Sequence, residues 1–130
     1  MMSKDEVFKV VEQMGLRPEQ DSDGDIVFCY QMKPIIIILN NDEPYMSVML
    51  YQFHEIDEGE DTKVLAACNL ATRKLKLAKV YVDESYKNVT AVCESFYTDE
   101  QSLEQNLRRS LGALGIVMSV FRKTLMEFEE

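Results

Sequence analysis

The sequence predicts an α+β fold whose elements run α-β-β-β-α-β-β-α, with a five-stranded antiparallel sheet and helices packed against it. Three observations predict this class. Helical periodicity recurs at the start, middle and end of the chain, two groups of strand-like segments lie between the helices, and the turns within each group are short. Short turns join antiparallel neighbours. At 130 residues the chain has the usual size of one domain, so we expect a single domain over residues 1–130.

The first helix is predicted over residues 3–14. Ser3 and Glu6 fit a capping box, in which each side chain accepts a hydrogen bond from the other residue's backbone amide. Gly15 is suited to end the helix in a left-handed conformation, and Pro18 prevents its easy continuation. The apolar face that follows the cap has helical spacing and consists of Val7, Val10, Val11 and Met14.

Three strands are predicted next. A polar turn leads into residues 26–33, where side chains alternate with the period of a strand. Pro34 interrupts this pattern, which indicates a turn or an edge position. Residues 35–39 form a continuous β-branched run, typical of a strand covered on both faces. The third strand covers residues 45–53 and completes an antiparallel meander.

The second half repeats the alternation of helix and strand. We predict a helix from about residue 62 to residue 74, strands over residues 77–82 and 89–97, and a long final helix. Thr98 and Gln101 fit a capping box that opens this helix. Its apolar face is predicted to contain Leu103, Leu107, Leu111, Leu114, Met118, Phe121 and Leu125.

The charge balance excludes two classes of partner. The chain has 14 Lys plus Arg against 23 Asp plus Glu, a net charge of -9, and no basic stripe. Nucleic acids and anionic membranes are polyanionic, so we expect neither as a partner. No apolar run has transmembrane length, and the N-terminal residues are acidic where a secretion leader is basic. We expect a soluble cytoplasmic protein whose acidity aids solubility and could steer a basic protein partner.

Candidate catalytic and cofactor residues are sparse. Cys29, Cys68 and Cys93 have neither disulfide nor zinc spacing, and they are expected to be reduced and mostly buried. His54 is the only histidine, and we interpret it as a loop residue at a strand end. Nucleophile elbows, zinc-binding helices and phosphate loops are missing from the sequence. We therefore predict no enzyme activity, no metal and no cofactor.

The acidic turn before the first strand resembles a calcium loop in part. Glu19, Asp21 and Asp23 occupy the first, third and fifth positions of that template, and Gly24 the sixth. The twelfth position requires a bidentate carboxylate and is Tyr30. The segment is better interpreted as an Asp-Gly turn that launches a strand.

The third strand supplies the candidate partner-binding residues. Both of its faces are largely apolar, and an apolar face without helices above it marks an interface. The alternative is a sheet covered on both faces by its own helices, and the sequence leaves the two open. One face is predicted to carry Tyr45, Ser47, Met49, Tyr51 and Phe53, and the other Met46, Val48 and Leu50. The candidates are Tyr45, Met46, Met49, Tyr51 and Phe53.

Gly112 and Gly115 complete the candidate partner-binding set. Both lie inside the final predicted helix, where each costs about 1 kcal/mol relative to alanine. Close approach by another backbone would offset that cost. The approaching backbone could belong to a second subunit or to the chain's own sheet, and the intramolecular case is the commoner one.

Three segments resemble YbjN-type domains, a family labelled as bacterial sensory-transduction regulators. They are the DGDIVF run at residues 23–28, Asn69 in the middle helix, and the KLAKVYVD run at residues 76–83. The resemblance covers nearly the whole chain and implies the predicted order of elements. The family shares this fold with type III secretion chaperones, which are small, acidic, cytoplasmic homodimers that hold unfolded stretches of effector proteins. The resemblance carries over no catalytic residue.

These observations predict a non-enzymatic protein-binding module, chaperone-like or adaptor-like and regulatory, acting as a homodimer on a protein partner. The alternative is a regulatory domain that binds a small ligand in a pocket between helix and sheet.

Overall fold

A computed structural model describes residues 1–128, so the last two residues of the predicted domain lie outside it. The described chain forms three helices and six strands. The helices are α1 (Lys4–Gln13), α2 (Asp61–Lys74) and α3 (Glu100–Met126). The strands are β1 (Glu19–Gln20), β2 (Ile26–Tyr30), β3 (Lys33–Leu39), β4 (Tyr45–Glu55), β5 (Ala78–Val82) and β6 (Asn88–Phe96).

The strands form one antiparallel sheet in the order β1-β2-β3-β4-β6-β5. The prediction of an antiparallel α+β fold is confirmed, but the prediction of five strands is wrong. The additional strand is β1, in which Glu19 pairs with Val27 and Gln20 with Ile26. Two exposed polar residues have no hydrophobic alternation, so the sequence pattern could not reveal this strand. At the centre, β4 pairs with β6 although α2 and β5 lie between them in the chain.

The helix caps show how local sequence sets the helix ends. The amide of Glu6 donates to Oγ of Ser3 at 3.2 Å, and the amide of Ser3 donates to Oε1 of Glu6 at 2.9 Å. The predicted capping box of α1 is therefore confirmed. The box predicted at Thr98 is wrong by one residue. Asp99 is the N-cap of α3, and its carboxylate accepts from the amide of Ser102 at 2.8 Å, because a carboxylate stabilises a helix N-terminus well.

The hairpin between β2 and β3 turns where no glycine is present. Gln31 and Met32 have φ angles of 50° and 65° and connect the two strands. The first strand therefore ends before Met32, and a turn at Pro34 is wrong, whereas the alternative of an edge position agrees with the pairing. Pro34 lies inside β3 opposite Cys29. Pro34 precedes Ile36, where the pairing of β3 with β4 begins. Its missing N–H therefore interrupts no pairing with β4.

A bulge distorts the end of β4. Residues 51–53 lie opposite the single residue Thr90 of β6, and Gln52 has a φ angle of 47°. The amide N–H of Gln52 donates to Oγ1 of Thr90 at 3.0 Å, and its side-chain amide donates to the Asp83 carboxylate at 2.9 Å. These two hydrogen bonds hold a conformation that glycine would adopt more easily.

The core lies between one face of the sheet and α1, α2 and α3. Phe121 of α3 and Ile26 and Leu50 of the sheet are among its largest fully buried side chains. Helices α2 and α3 pack against each other, and both contact β5. Within residues 1–128, no helix is long and apolar enough to cross a membrane.

Candidate functional site

The strand register divides the sheet side chains between two faces. Ile37 and Val48 are directly opposite each other and fully buried beneath the helices. Ile36 and Met49 are also directly opposite each other, but they point to the other face and remain partly exposed. No described element packs over that second face, which we call the open face. The side chains of the following residues lie on it, and all except Val92, which is 4% exposed, are partly or fully exposed: Val27, Ile36, Ile38, Tyr45, Ser47, Met49, Tyr51, Lys79, Val92, Glu94 and Phe96.

The open face carries exposed apolar side chains across several strands. Phe96 is 62% exposed, Tyr51 48% and Ile38 38%. The rings of Tyr45 and Phe96 lie 4.9 Å apart and are tilted by 52°. Between the ends of the face, Met49 and its neighbours form an apolar row across β2, β3, β4 and β6. An exposed apolar surface of this kind is typical of a binding surface.

A small polar cluster interrupts this surface. Glu94 accepts a hydrogen bond from the hydroxyl of Tyr45 and forms an ion pair with Lys79. The Lys79 ammonium, and secondly the Tyr45 hydroxyl, hold the pKa of Glu94 below its usual value. The hydrogen bond between the Lys79 ammonium and the Glu94 carboxylate also raises the pKa of Lys79. The positive charge of Lys79 and the negative charge of Glu94 therefore stabilise each other and sum to zero.

The structure separates the predicted strand residues into two groups. Tyr45, Met49 and Tyr51 lie on the open face as predicted. Met46 is fully buried in the core, so the described chain does not offer its side chain to a partner. Phe53 packs edge-on against Phe121 of α3 with ring centroids 5.4 Å apart. The prediction that Phe53 shares a face with Tyr51 is wrong, because the β4 bulge breaks the simple alternation.

The two predicted glycines also differ. A Cβ atom at Gly115 would lie 2.8 Å from Oε1 of Gln31, so the chain's own β2–β3 hairpin approaches α3 closely there. The close atoms belong to the side chains of Gln31 and Tyr30 and not to a backbone, so the predicted backbone approach at Gly115 stays a prediction. Gly112 is exposed, and a Cβ atom there would meet no atom within 4 Å. Packing within the described chain gives no reason for glycine at that position.

Two grooves lie outside the open face. The β5 groove, about 670 Å³ in volume, lies between α2 and β5 and is lined mainly by apolar residues such as Leu65, Cys68 and Val80. The α3 groove, about 550 Å³ in volume, lies beside Gly112. It is lined by Lys74, Leu75, Lys76, Leu77, Arg109, Gly112, Ala113, Ile116 and Val120. Sequence reasoning missed both grooves, because each combines residues from segments far apart in the chain.

The cysteines and the histidine do not come together as a catalytic pair. Cys68 and Cys93 are buried, and loss of hydration raises the pKa of each thiol to about 11. Cys29 is exposed, so the expectation of mostly buried thiols is confirmed for two of the three. The rings of His54 and Phe121 lie 5.0 Å apart and are tilted by 56°, and Nε2 of His54 lies 3.4 Å from Oε1 of Glu60. The prediction that the chain is not an enzyme stays a prediction.

The acidic turn forms a cluster of carboxylates. Among residues 1–128, Asp21, Asp23 and Asp25 can bring one carboxylate oxygen each within 4.8 Å of the others. The Asp21 carboxylate accepts from the amides of Asp23 at 3.0 Å and Asp25 at 2.9 Å, so it already caps its own turn. Gly24 has a φ angle of 81°, and β2 begins two residues later. This is the geometry of the predicted Asp-Gly turn.

The described residues define a small α+β domain in which one sheet face carries exposed apolar side chains. Residues 3–126 match the YbjN family, described as "Putative bacterial sensory transduction regulator", and the chain belongs to that family. No curated protein matches the chain.

Two solved structures share the fold. YbjN from E. coli, described as a "putative transcription regulator", superposes with a TM-score of 0.71 at 10% identity, covering 97% of this chain and 94% of that chain. An uncharacterized protein from Methanothermobacter thermautotrophicus superposes with a TM-score of 0.61 at 14% identity, covering 95% of this chain and 99% of that chain. At these identities the similarity shows the fold alone.

Proposed function

We propose that this YbjN-family chain is a non-enzymatic regulatory domain that binds proteins, and that it forms a homodimer through the open face. The single observation that supports this proposal is the position of the helices, which leave the open face uncovered in residues 1–128. The family description as a regulator agrees with the regulatory part of the proposal.

The chemistry of the open face suits a second copy of itself. A twofold dimer brings the same patch of both subunits together, so like charges must not face each other without compensation. On the open face, Lys79 and Glu94 neutralise each other within one subunit. The remaining central residues are mainly apolar, and two sheets can pack face to face at about 10 Å. Burial of Ile38, Tyr51 and Phe96 would contribute the hydrophobic free energy.

Light scattering after gel filtration tests the dimer. We expect the wild type to elute as a dimer, and Ile38→Lys combined with Phe96→Lys to elute as a monomer with unchanged circular dichroism. Leu65→Lys is the matched control, because Leu65 is 58% exposed on α2 and lies away from the open face. The control should remain a dimer. A monomeric wild type, or a double variant that stays dimeric, would contradict the proposal.

The β5 groove favours a second candidate function, the binding of a small apolar ligand. Its volume of about 670 Å³ lies within the usual range of ligand pockets, and Asp61 is the one ionisable carboxylate among its lining residues. A library of apolar small molecules should then raise the melting temperature of the wild type. Leu65→Trp, which fills the groove, should remove that shift. A screen without any such ligand would eliminate this candidate.

A further inference from the structure

We propose that the α3 groove binds an acidic amphipathic helix of a partner protein. This inference goes beyond the proposed dimer, because it concerns a different surface and a different occupant. It rests on the charge of the groove rim, the shape and composition of the groove floor, and the backbone conformation at Leu77.

The charge of the groove is opposite to that of the chain. The whole chain has a net charge of -9, yet among residues 1–128 the groove is lined by Lys74, Lys76 and Arg109 and by no acidic residue. Lys74 pairs with Glu127 at 3.2 Å. Neither Lys76 nor Arg109 has an ion pair with any acidic group in residues 1–128. Two unpaired cations beside an apolar floor favour a ligand that carries carboxylates next to apolar side chains.

The floor follows one side of α3. The groove residues of α3 recur at helical spacing and extend for about 16 Å along the helix axis. They are Arg109 at the rim and Gly112, Ala113, Ile116 and Val120 on the floor. Ile116 is 53% exposed, so this side of α3 presents apolar surface that no described element covers. A groove of this length matches about three turns of a second helix lying along α3.

Gly112 indicates how closely that helix approaches. Glycine destabilises a helix interior, and nothing within 4 Å of its missing Cβ explains its presence. Without that Cβ, a partner backbone can approach α3 at the centre of the floor. An extended peptide is a poorer occupant, because α3 uses its backbone groups internally and offers no strand edge for pairing.

Leu77 forms the opposite wall in a strained conformation. The amide of Ala78 donates to the carbonyl of Lys76 at 2.8 Å, which closes a three-residue turn around Leu77 with a φ angle of 72°. This form of γ-turn is rare and strained. It holds Leu77 51% exposed at the groove rather than in the core. Strain that keeps an apolar side chain at a surface supports a binding role.

The charge of the groove disfavours a second copy of the chain as its main occupant. A twofold dimer through this groove would bring Lys76 and Arg109 of both subunits into one interface. Within the described part of the chain, Glu127 compensates Lys74 at 3.2 Å, and no acidic residue pairs with Lys76 or Arg109. The preferred occupant is therefore a different protein segment, with apolar residues on one side and Asp or Glu flanking them.

The test uses a synthetic helical peptide of about 18 residues with leucines on one side and glutamates on the other. Its control peptide has lysine at each glutamate position. Amide chemical shifts of the ¹⁵N-labelled full chain should change at Leu77, Gly112 and Ile116 with the glutamate peptide. The lysine peptide should bind at least about tenfold more weakly. Equal binding of both peptides would overturn the proposal.

Variants separate the groove from the open face. Lys76→Glu with Arg109→Glu should reverse the peptide preference, whereas Lys9→Glu with Arg17→Glu makes the same charge change on exposed residues elsewhere and should bind like the wild type. Gly112→Leu should raise the melting temperature, because leucine favours the helix and meets no neighbour, while it weakens peptide binding about tenfold. Ile38→Lys with Phe96→Lys should bind the glutamate peptide normally, even if the dimer proposal fails.

Three outcomes would assign the groove differently and overturn the proposal. Retained binding in Lys76→Glu with Arg109→Glu would show that the rim cations do not recognise the peptide. Oleate that shifts the groove resonances when the glutamate peptide shifts none would assign the groove to a lipid chain. Conversion of a dimer to a monomer by Gly112→Leu would assign it to self-association.

Discussion

Thr72 of α2 closes the free edge of the sheet at Val80. The amide of Val80 donates to Oγ1 of Thr72 at 2.8 Å, and the same hydroxyl donates to the Val80 carbonyl at 3.1 Å. Strand β5 is an edge strand that pairs only with β6 in the described sheet. Both outward backbone groups of Val80 are therefore occupied by one side chain, which prevents them from pairing with another chain.

Thr72→Val should destabilise the fold and promote association through β5. Valine has nearly the same shape but leaves the amide and carbonyl of Val80 without partners, at a cost of about 1–3 kcal/mol. Urea unfolding measures the loss, and light scattering at several concentrations measures association. Thr62→Val is the control, because Thr62 is exposed in the first turn of the same helix. Equal effects of the two variants would show that the hydroxyl of Thr72 has no special role.

Phe53→Ala and Tyr51→Ala should differ strongly in stability. Phe53 packs on Phe121 at the bulge, so its truncation should cost about 3 kcal/mol through lost burial and a cavity. Tyr51 is 48% exposed, and its replacement should change the free energy of unfolding by about 0.5 kcal/mol or less. Urea unfolding of both variants, at concentrations where the protein is monomeric, checks this. A larger loss in Tyr51→Ala would contradict the assigned orientation of β4.

The stability that Glu94 contributes to the fold should be lost in acid. Its pKa is lower in the folded chain than its usual value near 4.5, because Lys79 and Tyr45 stabilise the carboxylate. The stabilisation is present above that usual value and is lost as the pH falls through the lowered folded pKa. The stability difference between wild type and Glu94→Gln should therefore shrink as the pH is lowered from 7 to below the folded pKa of Glu94. A difference independent of pH would show that the ion pair does not contribute to stability.

Asp25 should affect the pH dependence of stability in the opposite direction to Glu94. Loss of hydration, and secondly the Asp21 carboxylate, raise the pKa of Asp25 in the folded chain. Its ionised form therefore destabilises the fold at neutral pH, and protonation relieves this as the pH falls through the raised value. Asp25→Asn should be more stable than wild type at pH 7 in thermal unfolding and lose the advantage in acid. Destabilisation at pH 7 would contradict the raised pKa.

Only Cys29 should react with a thiol reagent in the native protein. Cys68 and Cys93 are buried, and each has a pKa of about 11, so few thiolates form at neutral pH. Ellman's reagent should detect one thiol per native chain and three after denaturation. Cys29→Ser should leave the native chain unreactive. Rapid labelling of Cys68 in that variant would show that the β5 groove opens in solution.

The sequence predicted the elements that have strong patterns. The Ser3 capping box and the apolar periodicity of α3 are local signals, and both appear in the structure. The sequence did not predict the turn at Gln31 or the bulge at Gln52, because each residue has a positive φ angle without being glycine. At Gln52 a hydrogen bond from its amide to the distant Thr90 holds the conformation, so no local residue pattern encodes it.

The candidate surface was predictable only in part. Alternation in β4 correctly placed Tyr45 and Met49 on one face and Met46 on the other, but it could not tell which face the helices cover. That choice depends on how α1, α2 and α3 connect around the sheet. The α3 groove beside Gly112 and Leu77 could not be predicted from the sequence for the same reason, since α2 and α3 meet only after folding.

The pairing of β4 with β6 has a consequence for how the chain assembles. It joins the N-terminal half, which ends with β4, to the C-terminal half, which begins with the exposed turn at Gly59. Neither half contains both central strands, so neither can complete the core alone. Folding must close this long-range contact before most core contacts form, which slows it relative to a helical bundle of similar size. A cut near Gly59 would turn one folding reaction into the association of two complementary fragments.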